Sequence, residues 1–405
     1  MRKLGIASLL VILALLIAVP NAFGEKDRPS LRPPKKDQKK ENKEADQTSL
    51  EERVFQNIPD GFPLEMQWPF YSKKLGKAID VWYVPRKEYF INADTIANID
   101  ACYFVQTDKN MLCMLSDDGA LTWAVGLSFR VTHCPRVTAF AVYLTHLSKI
   151  VCLDRRNGQI NWTKDFDYAF CTPPYATPTT LYIGTFNKLV VAIDRLNGRV
   201  LWTFALRGDV VAPPIDPFSP KAADYVLVPC IDNNLYAINT TGGELWKFKT
   251  HGRLMATPAT DVVDDEPYIY FGSQDTNLYC VNAISSQKVW IFRSGSPITE
   301  TPTIVGDHVY FRNEDGDFYC LDKRTGKQLW KKSGIRKVAG ASTGSDVYFI
   351  SGKNTLHAIN PANGNERWSY EMKNFVKFVP NNADGNVIGL TKSGLLLVFR
   401  QGVER

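Results

Sequence analysis

The sequence predicts an all-β fold, and more narrowly an eight-bladed β-propeller of four-stranded antiparallel blades. The first observation is a phrase that recurs and ends in tryptophan, as in VVAIDRLNGRVLW up to Trp202 and FYCLDKRTGKQLW up to Trp330. Related phrases follow one another at steps of 38 to 44 residues. The second observation is that 27 glycines and 23 prolines punctuate the chain, which indicates many short strands joined by turns. A unit of about 40 residues with several turns is typical of a propeller blade.

The repeat from Asp167 to Leu206 shows how four strands fill one unit. Its pieces are YAFCTPPYATPT, TLYIGTFN, KLVVAIDRLNG and RVLWTFAL, and three of them alternate apolar with polar or small residues as strands do. The last turn begins at Asp194 and ends at Gly198. An Asp side chain accepts hydrogen bonds from turn amides, and Gly accepts a positive φ. This turn therefore joins the third strand to the fourth.

A tryptophan follows the turn glycine by four residues and is expected to pack against the neighbouring blade. The eight tryptophans predicted to make such inter-blade contacts are Trp82, Trp123, Trp162, Trp202, Trp246, Trp290, Trp330 and Trp368.

The number of blades follows from the two chain ends. Seven complete units end near residue 372, and the remainder from Lys373 lacks a tryptophan-bearing fourth strand. The segment KAIDVWYV, from Lys77 to Val84, has that character. We therefore expect this N-terminal strand to close the eighth blade, which removes the exposed edges of an open ring.

The N-terminal region predicts export. Arg2 and Lys3 precede an apolar stretch from Leu4 to Val19 and then Pro20, the layout of a secretory signal peptide. We predict a signal peptide over residues 1–24, with a short retained anchor as the alternative, and a disordered charged tether over 25–60. One propeller domain then occupies 61–405, in the periplasm or elsewhere in the cell envelope.

Four of the eight cysteines lie ten residues before a tryptophan, at a position where other repeats have alanine. They are Cys113, Cys152, Cys280 and Cys320. We expect them to fill small buried positions as free thiols. Whether Cys134 and Cys171 are bridged stays open. No CxxC is present and no cysteine has a histidine at zinc-ligand spacing, so no metal is predicted.

The formal charge of +6 is small for 405 residues, and no dense basic stripe indicates nucleic-acid binding. The connections from one blade to the next do carry basic residues, which repeat symmetry places on one face. We predict a partner-binding face there, suited to an acidic protein segment or an anionic glycan; ordinary solvated charges are the alternative. Its residues are Arg130, Arg207, Arg253, Arg336 and Lys373.

The phrase LYAIN with its following Gly and Trp, and first-strand elements such as Thr257-Pro258 and Thr301-Pro302, resemble the repeats of pyrroloquinoline quinone (PQQ)-type propellers. That family contains quinoprotein dehydrogenases, which bind PQQ and Ca²⁺, and non-catalytic relatives such as BamB, an outer-membrane assembly lipoprotein. The chain lacks the adjacent cysteine pair of the dehydrogenases.

The resemblance to the BamB branch implies a non-enzymatic scaffold of the envelope that binds other envelope proteins and needs no cofactor. It departs from that branch in having no cysteine before Ala101 to carry a lipid. Membrane contact is therefore expected only through an uncleaved N-terminal segment. A PQQ- and Ca²⁺-dependent dehydrogenase and a polysaccharide-binding module remain the alternative functions.

Overall fold

The structure is a computed structural model and describes residues 52, 54, 56–92, 95–217, 224–342, 346–352 and 354–401. The predicted signal peptide and almost all of the predicted tether lie outside the described residues. Within the described ranges, no helix has the length and apolar character needed to cross a bilayer.

Short strands make up nearly all the regular structure. In the first half of the chain they are β1 (Leu64–Phe70), β2 (Ala78–Val84), β3 (Lys87–Asn92), β4 (Thr95–Ile99), β5 (Cys102–Thr107), β6 (Met111–Ser116), β7 (Leu121–Gly126), β8 (Arg136–Val137), β9 (Ala141–His146), β10 (Lys149–Asp154), β11 (Ile160–Asp165), β12 (Tyr175–Ala176), β13 (Thr180–Gly184), β14 (Leu189–Asp194), β15 (Val200–Ala205), β16 (Tyr225–Pro229), β17 (Asn234–Asn239) and β18 (Glu244–Lys249).

The second half continues the same rhythm of strand and turn. Its strands are β19 (Ala259–Val263), β20 (Glu266–Gly272), β21 (Asn277–Asn282), β22 (Lys288–Arg293), β23 (Thr303–Val305), β24 (His308–Arg312), β25 (Phe318–Asp322), β26 (Gln328–Lys332), β27 (Ile335–Gly340), β28 (Val347–Ser351), β29 (Thr355–Ile359), β30 (Glu366–Glu371), β31 (Phe375–Val379), β32 (Val387–Thr391) and β33 (Leu396–Gln401).

These strands form eight antiparallel blades in a ring, as the sequence predicted. From the axis outwards, the first blade is β2-β5-β6-β7, the second β8-β9-β10-β11, and the others follow in chain order. The fourth blade has three strands, and an isolated bridge between Ile215 and Leu227 takes the place of its inner strand. Inner strands of neighbouring blades contact each other, for example β8 with β12 and β27 with β31. They therefore line the axis.

The core is divided among the junctions between blades. Buried apolar residues of the described chain form eight clusters, one between each pair of neighbouring blades. Between the second and third blades, for example, Tyr143 and Cys152 pack with Ile183 and Val191. Both faces of every blade are covered in this way, so burial of apolar surface holds the ring closed.

The N-terminal strand that closes the eighth blade is β1, which differs from the strand predicted. β1 pairs with β33 from Leu64 opposite Gln401 to Phe70 opposite Leu396. The predicted segment, Lys77 to Val84, instead supplies β2, the inner strand of the first blade. The reason is the hairpin β3-β4, which is inserted between β2 and β5. It lengthens the first repeat and leaves Trp82 by coincidence at the usual spacing before Trp123.

The inserted hairpin begins at Lys87, and its first residue reaches other blades. Burial lowers the pKa of the Lys87 ammonium to about 7, with Asp216 acting against this and Arg136 adding to it. Arg136 belongs to the inner strand of the second blade, and Asp216 follows the bridge residue of the fourth. The 41-residue step from Trp82 to Trp123 gave no sign of this insertion.

The segment before β1 packs along the outside of the junction between the seventh and eighth blades. Val54 is buried in that cluster, and the Phe62 ring lies 5.7 Å from Trp368 and 5.2 Å from Phe399. The Tyr370 hydroxyl donates to the Gly61 carbonyl oxygen at 2.8 Å. Packing therefore begins at Val54, within the range that the sequence prediction gave to the tether.

Candidate functional site: the connection face

The ring has two unlike faces. On one, the connection that leaves a blade is bonded to the turn between the second and third strands of the next blade, as where Gln274 N–H donates to the Arg253 carbonyl oxygen at 3.0 Å. We call this the connection face. The opposite face carries the first-to-second and third-to-fourth strand turns, and we call it the turn face.

The tryptophans of the repeat join one blade to the next at the turn face. Five donate their indole N–H to the carbonyl oxygen of the second turn residue in the following blade: Trp68 to Asp117, Trp123 to Arg155, Trp202 to Thr240, Trp290 to Lys323 and Trp330 to Pro361. Several also cover the turn glycine. A Cβ placed on Gly364, for example, would lie 2.8 Å from the Trp330 ring.

Three predicted tryptophans have other surroundings. Trp162 packs over Gly198, and its indole nitrogen is buried with no hydrogen-bond partner in the described structure. Trp246 packs edge-on against Tyr225, with ring centroids 5.8 Å apart. Trp368 packs against Phe62. In the eighth blade no turn joins the third strand to the fourth, because β33 and β1 come from opposite ends of the chain.

Trp82 does not share this geometry. It lies on β2, beside the axis, with the Lys377 ammonium 5.6 Å from its ring centroid. The place predicted for Trp82 in the eighth blade belongs to Trp68, the one tryptophan that the repeat spacing left out. The turn itself forms as predicted: the Asp194 carboxylate accepts the Leu196 N–H at 2.8 Å.

All eight cysteines are free thiols. Cys152, Cys280 and Cys320 are buried, as the sequence predicted, and they lie opposite their tryptophans on neighbouring strands. In the first blade the last turn is one residue shorter, so Met114 lies opposite Trp123, and Cys113 faces the other side of the sheet.

Neither of the two cysteines left open by the sequence is bridged. Cys134 is exposed, and the Cys171 thiol donates to the Val210 carbonyl oxygen at 2.5 Å.

The five basic residues predicted as a binding face are all exposed: Arg130, Arg207, Arg253, Arg336 and Lys373. Lys373 lies 3.3 Å from the Glu371 carboxylate. Within the described ranges, none of the four arginines forms an ion pair.

The positive field is not continuous around the ring. The turns between second and third strands share the connection face, and in the fourth to sixth blades they carry Asp232, Asp275, Glu314, Asp315 and Asp317. Counting basic residues in the connections alone missed these acidic turns. Acidic turns therefore interrupt the basic residues in the fourth to sixth blades, where the exposed Arg253 lies in the connection that contacts the turn of Asp275.

Two large apolar side chains project from the connection face in the second and third blades. Leu147 and Phe186 are 70% and 58% exposed. They flank one connection, because Phe170 N–H donates to the Leu147 carbonyl oxygen at 2.8 Å and Phe186 N–H to the Ala169 carbonyl oxygen at 3.1 Å. We call Leu147 and Phe186 the apolar patch. Arg130 and Arg207 lie in the connections on either side of it.

The connection that the apolar patch flanks carries an aromatic cluster. The ring centroids of Phe166 and Phe170 are 5.2 Å apart, and that of Tyr168 lies 5.8 Å from each. The Tyr168 hydroxyl is buried and has no hydrogen-bond partner among the described residues. Large exposed apolar groups that flank one connection make this part of the face a candidate interaction site.

The backbone at Leu147 is unusual. Its φ is +53°, in a two-residue turn between β9 and β10. Hairpin turns with positive φ strongly favour Gly, Asn or Asp, since other L-residues lose about 1–2 kcal/mol there. The other seven blades place Asn110, Lys188, Asn233, Thr276, Gly316, Asn354 and Gly394 at their positive-φ positions. An exposed leucine here therefore costs stability without gaining burial.

Glu300 and Asp167 lie in connections of different blades and do not form one acidic site. Glu300 pairs with Arg312, and Asp167 is exposed in another connection. No three His, Cys, Asp or Glu side chains of the described chain are grouped so that they could hold a metal ion. The described residues thus do not fit the Ca²⁺ site expected of a quinoprotein dehydrogenase.

Known proteins show the same repeat. The sequence profile of the family described as outer membrane protein assembly factor BamB matches residues 109–332, 231–374 and 332–401. The outer membrane protein assembly factor BamB of Shewanella oneidensis is 24% identical over 244 residues, which are 53% of this chain and 60% of that protein. The chain thus spans about three-fifths of that relative's length.

Solved structures share the architecture. BamB from Moraxella catarrhalis superposes with a TM-score of 0.64 at 18% identity, over 84% of this chain and 98% of that one. The computationally designed protein Ika8 gives 0.56 at 15% identity, over 74% and 92%. At these identities the likeness concerns the fold. The family profile, in contrast, covers most of the sequence, and the chain belongs to the PQQ-like β-propeller family of the outer membrane protein assembly factor BamB.

Proposed function

We propose that this protein is an exported, non-enzymatic scaffold of the cell envelope that binds protein partners in outer-membrane protein assembly. Membership of the BamB family and the signal-peptide pattern of residues 1–24 support this proposal. The relative that matches at 24% identity bears the name of an assembly factor. A ring of near-complete blades offers loops for binding, and function in such folds resides in sites on those loops.

The observation that carries the binding proposal is the apolar patch. Leu147 and Phe186 are exposed on one face, and Leu147 keeps a positive φ that disfavours leucine. Strained backbone positions cluster at binding and active sites, which favours a binding role for Leu147. Arg130 and Arg207 beside the patch supply the residue type that is enriched at protein interfaces. The partner is therefore expected to present an apolar segment with acidic flanks.

The non-enzymatic part of the proposal rests on the surroundings of the axis. Glu300 is neutralised by Arg312, and the acidic groups lie in separate connections. A dehydrogenase requires a metal and a quinone held over the axis, and the described residues supply no carboxylate cluster for this. The test is dye reduction after addition of PQQ and Ca²⁺: no reduction is expected, and turnover would contradict the proposal.

Photo-cross-linking in the native envelope tests the binding proposal. A benzoylphenylalanine replaces Phe186 in one strain and Phe140 in a matched strain. Phe140 is 63% exposed in the second blade but lies at the turn face. We expect an outer-membrane assembly protein to be cross-linked from position 186 and not from position 140, as identified by mass spectrometry. The same adducts from both positions, or none from position 186, would reject the proposed surface.

A further inference from the structure

A second charged surface covers the connection face at the eighth and first blades, and it consists of lysines. Its six exposed members are Lys73, Lys74, Lys77, Lys109, Lys373 and Lys392. We call this set the lysine surface. It is separate from the apolar patch, which lies about a quarter of the ring away.

Direct contacts hold the lysine surface together. Lys109 Nζ donates to the carbonyl oxygens of Lys73 and Lys74, each at 3.2 Å. A Cβ on Gly394 would overlap the Lys77 side chain, so Lys77 lies on the turn that also carries Lys392. These positions come from two strand connections and from two neighbouring turns. The lysines therefore form one continuous region.

Acidic groups among the described residues offset part of this charge. The Asp108 carboxylate accepts the Lys77 N–H at 2.9 Å, and the Glu371 carboxylate lies 3.3 Å from the Lys373 ammonium. Glu52 is exposed at the start of the described segment. The six lysines thus outnumber these three carboxylates, whereas the turns between second and third strands in the fourth to sixth blades of the same face are acidic.

The N-terminal part of the chain joins the ring at the lysine surface. Asn374 Nδ2 donates to the Gln56 carbonyl oxygen at 3.1 Å, and Lys392 N–H donates to the Asn374 carbonyl oxygen at 2.8 Å. The sequence before this point carries a run of lysines: Lys35, Lys36, Lys39, Lys40 and Lys43. Asp37, Glu41, Glu44 and Asp46 lie among or just after these lysines, so the run adds little net positive charge to that of the ring.

We propose that the lysine surface docks the folded ring onto a phospholipid bilayer with anionic headgroups. Lysine is a hydrated point charge suited to a diffuse negative surface, and each lysine near such a membrane raises the affinity about fivefold. Protein interfaces are instead enriched in aromatic residues and arginine and depleted in lysine. The shallow cavity beside Gln56 and Lys392 is lined by polar residues, so it offers no aromatic pocket for a protein side chain.

Docking in this way orients the molecule. The connection face turns towards the bilayer, with the eighth and first blades nearest to it. The apolar patch then lies close to the membrane surface. The inference does not depend on the protein partner, because the two surfaces occupy different blades.

Acetylation of lysine amines tests the contact on the full chain. The protein is mixed with vesicles of phosphatidylcholine alone or of phosphatidylcholine with phosphatidylglycerol, and acetylation of each lysine is followed by mass spectrometry. With anionic vesicles at low salt, Lys74, Lys373 and Lys392 should react at least fivefold more slowly than with neutral vesicles. Lys288 and Lys327, exposed at or near the turn face, should react equally with both. Equal rates at all five lysines would overturn the proposal.

Charge reversal separates the ring from the N-terminal run. Lys74→Glu with Lys373→Glu and Lys392→Glu should lower anionic-vesicle affinity by at least tenfold relative to the wild type. The matched control, Arg199→Glu with Lys288→Glu and Lys327→Glu, changes net charge equally on exposed residues away from the connection face and should lower it less than threefold. Equal losses would overturn the proposal. So would wild-type binding to polyglutamate but not to anionic vesicles, which would indicate an acidic protein as the partner.

Discussion

Trp202 donates its indole N–H to the carbonyl oxygen of Thr240 in the next blade, 2.8 Å away. Trp162 occupies the same position one blade earlier, but its indole nitrogen is buried without a partner in the described structure. The carbonyl oxygen that it would meet, on Arg195, accepts the Tyr143 hydroxyl at 3.3 Å. Two neighbouring junctions thus differ by one hydrogen bond.

This difference predicts unequal effects of one substitution. Trp202→Phe and Trp162→Phe remove the same ring area from side chains that are both half-buried. Only the first also breaks a hydrogen bond, which contributes about 1 kcal/mol. We expect Trp202→Phe to lower the free energy of unfolding by about 1 kcal/mol more than Trp162→Phe. Urea unfolding measures both, and equal losses would show that the bond contributes nothing.

Closure of the ring by Leu64–Phe70 predicts that two glycine-to-alanine variants differ in how much stability they lose. Gly119 has φ +82° and a Cβ there would overlap the Trp68 ring, whereas Gly295 has φ +84° with nothing within 4 Å. Both alanine variants lose about 1–2 kcal/mol through the positive φ. Gly119→Ala should lose at least about 1 kcal/mol more, since the overlap forces Trp68 to move. Equal thermal unfolding of the two variants would argue against Trp68 as the contact between the eighth and first blades.

Most of the fold was predictable because each blade repeats the same strands, turn and inter-blade tryptophan. The turn from Asp194 to Gly198 and the buried tryptophans recur at a fixed spacing, and that spacing gave the number of blades. The closing strand was assigned wrongly because the spacing of repeats cannot reveal a segment that is inserted into one of them. The hairpin β3-β4 interrupts the first repeat and shifts Trp68 out of register.

The candidate site was predictable only in part. Repeat symmetry placed Arg130 and Arg207 in connections between blades, where both lie in the structure; that they bind a partner stays a prediction. The prediction considered only the connections between blades. It left out the acidic turns between second and third strands, which lie on the same face but elsewhere in the repeat. The sequence did not single out Leu147, because the feature that distinguishes it is a positive backbone φ. The shorter turn of the second blade was the available hint.

Three turn carboxylates predict how stability depends on pH. Hydrogen bonds from Ser116 to Asp118, from Arg156 to Asp154 and from Lys331 to Asp317 lower the pKa of each carboxyl from its usual 3.8, to about 2 for Asp154. A lowered folded-state pKa stabilises the fold above the usual value, and this contribution is lost as pH falls through the folded-state value. Stability should therefore decrease between about pH 4 and about pH 2. Asp154→Asn with Asp317→Asn should lose less on acidification, and an unchanged pH profile would contradict this origin.

Leu147 is expected to be replaceable without loss of stability. Leu147→Asn removes a side chain that is 70% exposed and introduces a residue that tolerates positive φ. The free energy of unfolding should stay the same or rise by up to about 1 kcal/mol. Val142→Asn, in the buried core of the same blade, is the contrasting variant and should lose several kcal/mol. A clear loss of stability in Leu147→Asn would assign the leucine a structural role.

Capture of the partner identified by cross-linking tests the central claim most directly. The double variant Leu147→Asn with Phe186→Ser is compared with Phe140→Ser and Leu196→Ser, which alter side chains 63% and 79% exposed at the turn face of the same two blades. The account predicts at least about a tenfold loss of affinity for the first variant, the size expected when exposed apolar anchors are removed. The second variant should bind like the wild type. Unchanged capture by the Leu147 and Phe186 variant, or equal loss in both, would contradict it.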